Sequence, residues 1–503
     1  MATFAELYFG LADGNDEANQ NEESFLASFV DHQGVVPAIR QRKKFLLLGP
    51  KGSGKTTFAR YLQETALGER EILGLRDISE LPLSEVEKIK TGESAGPGRT
   101  MTAWRLLILC GLLDLMLKDQ ASSLQHDPQA IRVTNELRKL GFMDPTPKNA
   151  VIAASKSTFK LNFATFGEYS REQESSSSIN LYNLVPHLER WVVENESPNS
   201  YLLMLDGLDS IYLNDERYSI VIASLLQAAY SVHQKLRMNS SLAHIVLLVR
   251  NDLFSRISLA DAGKMRRDHG IELDWRILSG NPQEAPLFKV ANKKAGSILG
   301  EQIDVVRDYF PEDIQLGGKS GAPRWAPTYQ YLLDLTRHTP RDLLQLFEAC
   351  RSYAASVGSS MQDGHLRPGV IREGVLQYAT KYFVDAIKNE LVGVNGPDPT
   401  LARRAMDTLR QLGKQRFTRD EFANECFGAP TNEDRRLADD FLRWLFYAGA
   451  IGNLRQANYG MYLQFYHRRE DSEIYLKGPL VLHSALVYAW GSSFGSPGRS
   501  RSR

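Results

Sequence analysis

A glycine-rich segment carries the residues best suited to chemistry: Gly49, Pro50, Lys51, Gly52, Ser53, Gly54, Lys55 and Thr56. The segment fits the pattern G-x-x-x-x-G-K-[ST] at every fixed position. Glycines allow the backbone to fold tightly around an anion, so that successive N–H groups point at phosphate oxygens. We expect Lys55 to contact the β- and γ-phosphates of a nucleotide. We expect Thr56 to ligate Mg²⁺, while Ser53 and Thr57 supply loop amides or hydroxyls.

Two aspartates follow an apolar run in the segment YLLMLDGLDS. A carboxylate at the end of a buried strand can hold Mg²⁺ through water, and Asp206 is the candidate for this role. Asp209 lies three residues further on, where it could orient or deprotonate an attacking water. The alternative is an aspartate turn that only closes a core strand. The upstream glycine-rich segment favours the functional interpretation.

Two arginines are further candidates for phosphate contacts. Arg250 ends another apolar run, so in a parallel sheet it would emerge at the same edge and could sense a γ-phosphate. Arg341 lies in the segment HTPRDL at the start of a predicted helix and could reach phosphates from an adjoining helical domain. The simpler alternatives are a solvated charge at a strand end for Arg250 and a helix-surface arginine near Asp342 for Arg341.

Alternating strands and helices must position these residues. Phe45–Leu48 form a compact apolar run typical of a buried strand, and TTFARYLQETAL then shows helical spacing, with Gly68 where the helix would end. This context argues against a chance glycine-rich turn. Tyr201–Leu205 and Ile245–Val249 are two more buried-type runs. Three such strands separated by helices predict an α/β fold with a parallel sheet covered on both faces.

Periodicity also predicts the elements outside this sheet. Helices are expected within residues 100–143, strands in KSTFKLNFATFGEYS, and helices again within 326–358, where Pro340 would open the second one. VGVNGPDPT would link to three short helices, two strands in MYLQFYH and EIYLKG, and a last helix. This order predicts a winged helix, whose third helix would run through RRLADDFLRWLFYAGAI.

The length of 503 residues is too great for one hydrophobic core. The predicted divisions are a lead-in segment (1–43), a P-loop ATPase α/β domain with helical and strand insertions (44–320), a helical lid domain (321–395), a winged-helix-like domain (396–490) and a disordered basic tail (491–503).

Sixty basic residues balance sixty acidic ones, so no global charge draws the chain to nucleic acid or membrane. Three dispersed cysteines and no secretory signal predict a soluble, cytoplasmic protein.

On the glycine-rich segment, the Asp206-Gly-Leu-Asp209 turn and Arg250, the chain resembles the additional-strand P-loop ATPases, in particular the AAA+ and STAND groups. The Asp206 turn is similar to that of NACHT-type STAND ATPases, and Thr339-Pro340-Arg341 is similar to the second-sensor segment of origin-recognition-type AAA+ proteins. Tyr8-Phe9-Gly10, with the motifs already quoted, also resembles a poorly characterised family of bacterial P-loop ATPases. The resemblance covers roughly residues 5 to 350.

This resemblance implies ATP and Mg²⁺ as ligands, a homo-oligomer, and a conformational switch. An arginine from a neighbouring subunit usually completes such sites, and Arg256, Arg266 and Arg267 are the candidates. NACHT proteins usually carry an acidic residue where this chain has Ser210, so the resemblance implies slow hydrolysis. STAND proteins usually bear an effector or a repeat array, so the resemblance implies a partner effector, as in antiviral defence systems.

Two other functions compete with the switch. An origin-recognition-like ATPase that loads on or remodels DNA would use the winged helix, but Thr400–Gly498 hold thirteen Lys or Arg against eleven Asp or Glu, and Asp439 and Asp440 lie on the helix expected in a groove. DNA binding is therefore not favoured, and Phe441 and neighbouring apolar residues are expected in the core. A small-molecule kinase is disfavoured by the length and the winged helix. The missing N-K-x-D motif favours ATP over GTP.

Overall fold

The computed structural model describes twelve stretches: 2–11, 13–89, 97–156, 181–208, 216–257, 259, 261–276, 280–316, 324–395, 398–457, 460–468 and 473–492. The chain divides into two compact units. The first comprises Met1–Val30, Gly52–Gly54 and Asp274–Arg503, and the second comprises Asp31–Lys51 and Lys55–Leu273. Gly52–Gly54, at the tip of the glycine-rich loop, thus group with the first unit.

A five-stranded parallel sheet forms the centre of the second unit. Its strands are β1 (Leu46–Gly49), β2 (Glu71–Asp77), β3 (Ser200–Asp206), β4 (Ala243–Arg250) and β5 (Gly270–Glu272), in the order β2-β3-β4-β1-β5. The strands β1, β3 and β4 are interior, and their apolar residues are covered on both faces, as parallel sheets require. This sheet confirms the predicted α/β fold class.

Helices surround this sheet and supply the rest of the core. The helices of the first 270 residues are α1 (Gly14–Gln20), α2 (Glu22–Ala27), α3 (Val35–Arg40), α4 (Lys55–Thr65), α5 (Leu83–Val86), α6 (Pro97–Lys118), α7 (Pro128–Lys139), α8 (Lys148–Lys156), α9 (Leu181–Glu194), α10 (Glu216–Met238), α11 (Asn251–Arg256) and α12 (Ala262–His269). α1 and α2 belong to the first unit. Within α6, Thr100–Lys118 is apolar and long enough to span a membrane, but 83% of its most apolar window is buried, as expected of a core helix.

The first unit is mainly helical up to residue 395. Its further elements are α13 (Pro286–Ser297), α14 (Val305–Tyr309), β6 (Asp313–Leu316), β7 (Arg324–Pro327), α15 (Thr328–Asp334), α16 (Pro340–Ser356), β8 (Met361–Gln362), β9 (His365–Leu366), α17 (Pro368–Tyr378), a π-helix (Ala379–Phe383) and α18 (Val384–Asn395). β6–β7 and β8–β9 are antiparallel hairpins. Pro340 is the first residue of α16, as predicted, because its missing N–H needs no partner there.

The carboxyl-terminal part has the winged-helix order. It contains α19 (Pro399–Gln411), β10 (Arg416–Phe417), α20 (Arg419–Phe427), α21 (Asn432–Tyr447), β11 (Ile451–Ala457), β12 (Gly460–Gln464), β13 (Leu480–Leu482) and α22 (Ser484–Trp490). The four strands form a sheet in the order β10-β13-β11-β12. Phe441, Leu442, Leu445 and Phe446 on α21 are fully buried, which confirms their prediction as core residues.

Short 3₁₀ helices connect several of these elements. They span Phe4–Glu6, His32–Gly34, Leu67–Glu69, Ser123–His126, Pro282–Glu284 and Tyr466–Arg468. The turn at Leu67–Glu69 corrects one prediction: α4 ends at Thr65, and Gly68 lies inside the turn rather than at the end of the helix. The chain leaves this turn through Arg70, which takes the left-handed conformation that was expected of a glycine.

Other sequence-based boundaries were also wrong. The described residues Glu473–Gly478, within the predicted strand EIYLKG, form a loop and a turn, and α21 ends at Tyr447 because Ile451 starts β11. The linker predicted in VGVNGPDPT begins inside α18. The predicted strands in KSTFKLNFATFGEYS, from residue 157 onward, and the basic tail from residue 493 lie outside the described residues.

Candidate nucleotide-binding site

The glycine-rich loop connects the interior strand β1 to α4, which begins at Lys55. Gly52 and Gly54 have φ angles of +79° and +93°, a region that residues with a Cβ rarely adopt. These two angles explain why glycine is required at both positions. The resulting strand, tight turn and helix N-terminus form the arrangement that binds phosphate in P-loop proteins.

The Lys55 side chain lies along this loop. Its Nζ donates hydrogen bonds to the carbonyl oxygens of Gly49 and Pro50, each at 3.2 Å. Lys55 is only 5% exposed, so its positive charge is held largely away from water. Such a charge interacts strongly with a phosphate oxygen that approaches it.

Thr56 and Asp206 meet although they lie far apart in the sequence. Thr56 Oγ1 donates to Asp206 Oδ2 at 2.8 Å, and Gly207 N donates to Asp206 Oδ1 at 2.8 Å. A hydroxyl and a carboxylate are the hard oxygen ligands that Mg²⁺ takes, and this ion commonly uses only one or two protein groups together with phosphate and water. The pair therefore fits a magnesium ion bound with a nucleotide.

Ser53 adds a second observation in favour of a bound group. The residue is fully buried, and its Oγ has no hydrogen-bond partner among the described residues. Buried hydroxyls normally find a partner, so this orphaned atom at the tip of the loop suits a ligand oxygen. Of the remaining predicted loop residues, Pro50 directly follows β1, Lys51 lies in the turn, and Thr57 lies in the first turn of α4.

Arg250 lies at the carboxyl end of β4, in register with Gly49 of β1. It was predicted to sense a phosphate, and the structure shows it in a two-point ion pair with Asp252, with Nε–Oδ1 and Nη2–Oδ2 distances of 2.9 Å. The side chain is 5% exposed, so it is not the solvated charge of the alternative interpretation.

Asp209, the other predicted catalytic residue, lies outside the described residues.

Arg341 lies in the first unit, at the second position of α16. Its backbone N donates to Gly52 O at 3.3 Å, and a Cβ on Gly52 would come within 3.1 Å of the Arg341 Cβ. The alternative for Arg341 was a helix-surface arginine near Asp342, and its side chain is half-buried. Asp342 is fully buried and accepts from the Arg337 guanidinium at 2.8 and 2.9 Å. Burial raises the pKa of Asp342, but Arg337 outweighs it and holds the pKa below its usual value.

The three candidates for an arginine supplied to a neighbouring subunit differ in their surroundings. Arg267 is 79% exposed and forms an ion pair with Asp268. Arg266 forms an ion pair with Glu272. The side chain of Arg256 lies outside the described part of the structure.

Two residues near these groups were not predicted from the sequence. Asp77 ends β2 in register with Asp206, so that two carboxylates share one edge of the sheet. Trp275 donates from Nε1 to Ser53 O at 2.9 Å. A prediction of β2 would have pointed to Asp77, whereas nothing in the local sequence of Trp275 predicts its contact.

Together, the sheet order, the loop and the Thr56–Asp206 pair define an α/β fold of the P-loop nucleotide-binding class. Residues 16–81, which include β1, the loop and α4, match the family model described as ORC-CDC6-like. No curated protein matches the chain.

Three solved structures are similar to the chain at 12% identity each. The Orc1 protein of Aeropyrum pernix in complex with DNA has a TM-score of 0.37 and covers 93% of this chain and 94% of its own. The RuvB Holliday junction branch migration motor of Thermotoga maritima has a TM-score of 0.29, with 94% and 100% covered. Cdc6p of Pyrobaculum aerophilum has a TM-score of 0.30, with 88% and 93% covered.

Proposed function

We propose that this protein is an ATPase of the AAA+ type, similar to the ORC-CDC6-like proteins, which binds ATP and Mg²⁺ at Gly49–Thr57. The observation that carries the proposal is the 2.8 Å contact of Thr56 with Asp206 beside a loop that matches the phosphate-binding pattern at every fixed position. Lys55 would hold the β- and γ-phosphates, and Thr56 and Asp206 would hold Mg²⁺. The ion supplies charge neutralisation to the phosphates when it is bound.

Hydrolysis also needs a group that orients the attacking water, and Asp209 is proposed for this role. Arg250 is proposed to respond to the γ-phosphate from the end of β4, which would require its pair with Asp252 to loosen. Arg341 is proposed to transmit the nucleotide state to the lid helices through α16. The output of such a cycle is a conformational change in a homo-oligomer, and a partner effector is part of this proposal.

The first experiment compares ATP hydrolysis by the full chain with that of Lys55→Ala and Asp206→Asn. We expect both variants to lose at least about 100-fold in turnover, because each removes a charge-stabilising contact. Lys55→Ala should also weaken ATP binding in calorimetry, whereas the control Lys139→Ala, an exposed helix residue, should match the wild type. Undiminished hydrolysis in both variants would reject this site.

A DNA-binding, origin-recognition-like ATPase is the second candidate function, and the hairpin of β11 and β12, here called the wing, favours it. Arg455 on β11 lies opposite Tyr462 on β12, and its guanidinium lies 4.8 Å from the ring centre of Tyr475. Both tyrosines are 44% exposed. A cation over one accessible aromatic ring, with a second accessible tyrosine opposite it in the sheet, is suited to contact phosphates and bases. The acidic residues of α21 were expected to repel DNA. Asp439 pairs with Arg419 and Asp440 with Arg443, so their negative charges are partly neutralised.

The wing hypothesis predicts that Arg455→Ala/Tyr462→Ala weakens binding to duplex DNA at least about tenfold, with a smaller dependence on salt. Fluorescence anisotropy at several salt concentrations measures both quantities. The control is Trp325→Ala, which removes an aromatic side chain 59% exposed on β7, outside the wing. Equal weakening in the control, or no binding by the wild type, would remove this candidate.

A further inference from the structure

Two hydrogen bonds hold the tip of the phosphate-binding loop by its carbonyl oxygens. Trp275 Nε1 donates to Ser53 O at 2.9 Å, and Arg341 N donates to Gly52 O at 3.3 Å. All four residues belong to the first unit. Trp275 is 4% exposed and Ser53 is fully buried, so bulk water does not compete for this bond. The Ser53 oxygen is therefore fixed in direction, and the Gly52 oxygen is directed toward Arg341 N by the second bond.

The direction of these oxygens determines what the loop can bind. A peptide unit is planar and trans, so its C=O and its N–H point in opposite directions. The bond from Trp275 thereby orients the N–H of Gly54, and the bond from Arg341 orients the N–H of Ser53. An anion is attracted by N–H groups and repelled by carbonyl oxygens, so the loop can accept phosphate only with both peptides turned this way.

Trp275 is itself held by its neighbours. The Arg276 guanidinium binds the Asp274 carboxylate at 2.6 and 2.7 Å, and the backbone N of Arg276 donates to Asp274 Oδ1 at 2.9 Å. These bonds fix the turn around the indole. In the described part of the chain the Ser53 hydroxyl has no hydrogen-bond partner, so no described side-chain bond of Ser53 holds its own peptide in place.

We infer that Trp275 is a positioning residue of the proposed nucleotide site: its indole N–H keeps the Ser53–Gly54 peptide in the orientation that presents the Gly54 N–H to phosphate. This inference rests on the proposed function. A role as a mere core side chain would require only the bulk and the apolar surface of the indole, which phenylalanine largely supplies. The hydrogen bond is what separates the two roles.

Trp275→Phe removes the donor and keeps an aromatic ring. Trp104→Phe is the matched control, because Trp104 is 1% exposed and its Nε1 also donates to a buried backbone oxygen, that of Val221 on α10, at 3.0 Å. Hydrogen exchange of the ligand-free full chain is measured first. We expect exchange of the peptide that covers residues 49–57 to become about five- to tenfold faster in Trp275→Phe and to stay unchanged in Trp104→Phe. Unchanged exchange in Trp275→Phe would overturn the inference.

Calorimetric titration with Mg²⁺ and ATP then tests the link to the nucleotide. Trp275→Phe should bind ATP about fivefold more weakly and raise KM without a comparable loss of kcat, while Trp104→Phe should bind as the wild type does. Equal affinities in all three proteins would overturn the inference. If the wild type binds no ATP at all, the proposed function fails, and the exchange measurement separately decides whether Trp275 orients the loop.

Discussion

Thr56 and Asp206 illustrate how single residues acquire a joint role. Their side chains are separated by 150 positions in the sequence and by 2.8 Å in the structure. The hydroxyl belongs to the first turn of α4, and the carboxylate ends β3. Because both groups bring oxygen atoms to the same point, the proposed Mg²⁺ site needs the hydroxyl as well as the carboxylate.

Substitution of Thr56 tests this dependence. Thr56→Val removes the hydroxyl and keeps the shape, so we expect ATP turnover to fall about 100-fold or more, as when one charge-stabilising contact is lost. Thr56→Ser retains the hydroxyl and should keep most of the turnover. A titration of Mg²⁺ in steady-state kinetics checks both. Equal activity of Thr56→Val and Thr56→Ser would show that the hydroxyl takes no part.

Among the secondary-structure elements, the pairing of β2 with β3 depends on a glycine that follows β3. The two strands run parallel with Asp77 opposite Asp206, and Gly207 follows with a φ of +93°. A Cβ on Gly207 would lie 2.0 Å from Asp77 Oδ1 and 2.7 Å from the backbone N of Ser79. The turn after β3 can therefore approach β2 only because residue 207 is glycine.

We expect Gly207→Ala to lower the free energy of unfolding by about 2–4 kcal/mol, since it adds a steric collision to the strain of a positive φ. Gly364→Ala is the matched control. Gly364 has a φ of +84° but nothing within 4 Å of its added Cβ, so it should lose only about 1 kcal/mol. Urea unfolding measures both variants, and equal losses would contradict the prediction by showing that Asp77 and the backbone at Ser79 shift to relieve the collision.

At the scale of the whole molecule, buried histidines in both units connect stability to pH. His244 in the second unit is 3% exposed, and burial lowers its pKa to about 4. His483 in the first unit is fully buried, and burial lowers its pKa to about 3. Nδ1 of His483 accepts from Ala485 N at 3.2 Å, an arrangement that requires this nitrogen to be unprotonated.

These directions predict loss of stability in mild acid. The pKa of such a histidine is about 6.5 in the unfolded chain and lower in the folded chain. Between these two pKa values the unfolded chain binds a proton that the folded chain does not, and this difference favours unfolding. Stability should therefore be complete above pH 6.5 and fall toward pH 4, by up to about 1.4 kcal/mol per pH unit for each such histidine. Urea unfolding between pH 7.5 and 5 measures the slope.

His483→Asn supplies the control for this prediction. Asparagine keeps an acceptor at the start of α22 but does not titrate, so the slope of stability against pH should become smaller. His126→Gln, which changes an exposed histidine, should leave the slope as in the wild type. A stability that does not change between pH 7.5 and 5 in any of the three proteins would contradict the prediction.

The sequence by itself determined the interior strands and the loop. Phe45–Leu48, Tyr201–Leu205 and Ile245–Val249 are continuous apolar runs because interior strands are buried on both faces, so the local pattern reveals them. The glycine-rich pattern is equally local, since it encodes φ angles and a helix start. The edge strands β2 and β5 escaped prediction: the first begins and ends with charged residues, and the second has only three residues.

Only the tertiary structure decided which distant residues meet. The contact of Thr56 with Asp206, the register of Asp77 with Asp206 and the bond from Trp275 to Ser53 all depend on strand order and on chain segments far apart in sequence. The ion pair of Arg250 with Asp252 likewise replaced the solvated charge that a strand end suggested. Local patterns record burial and backbone conformation, whereas contacts across a sheet depend on how the whole chain packs.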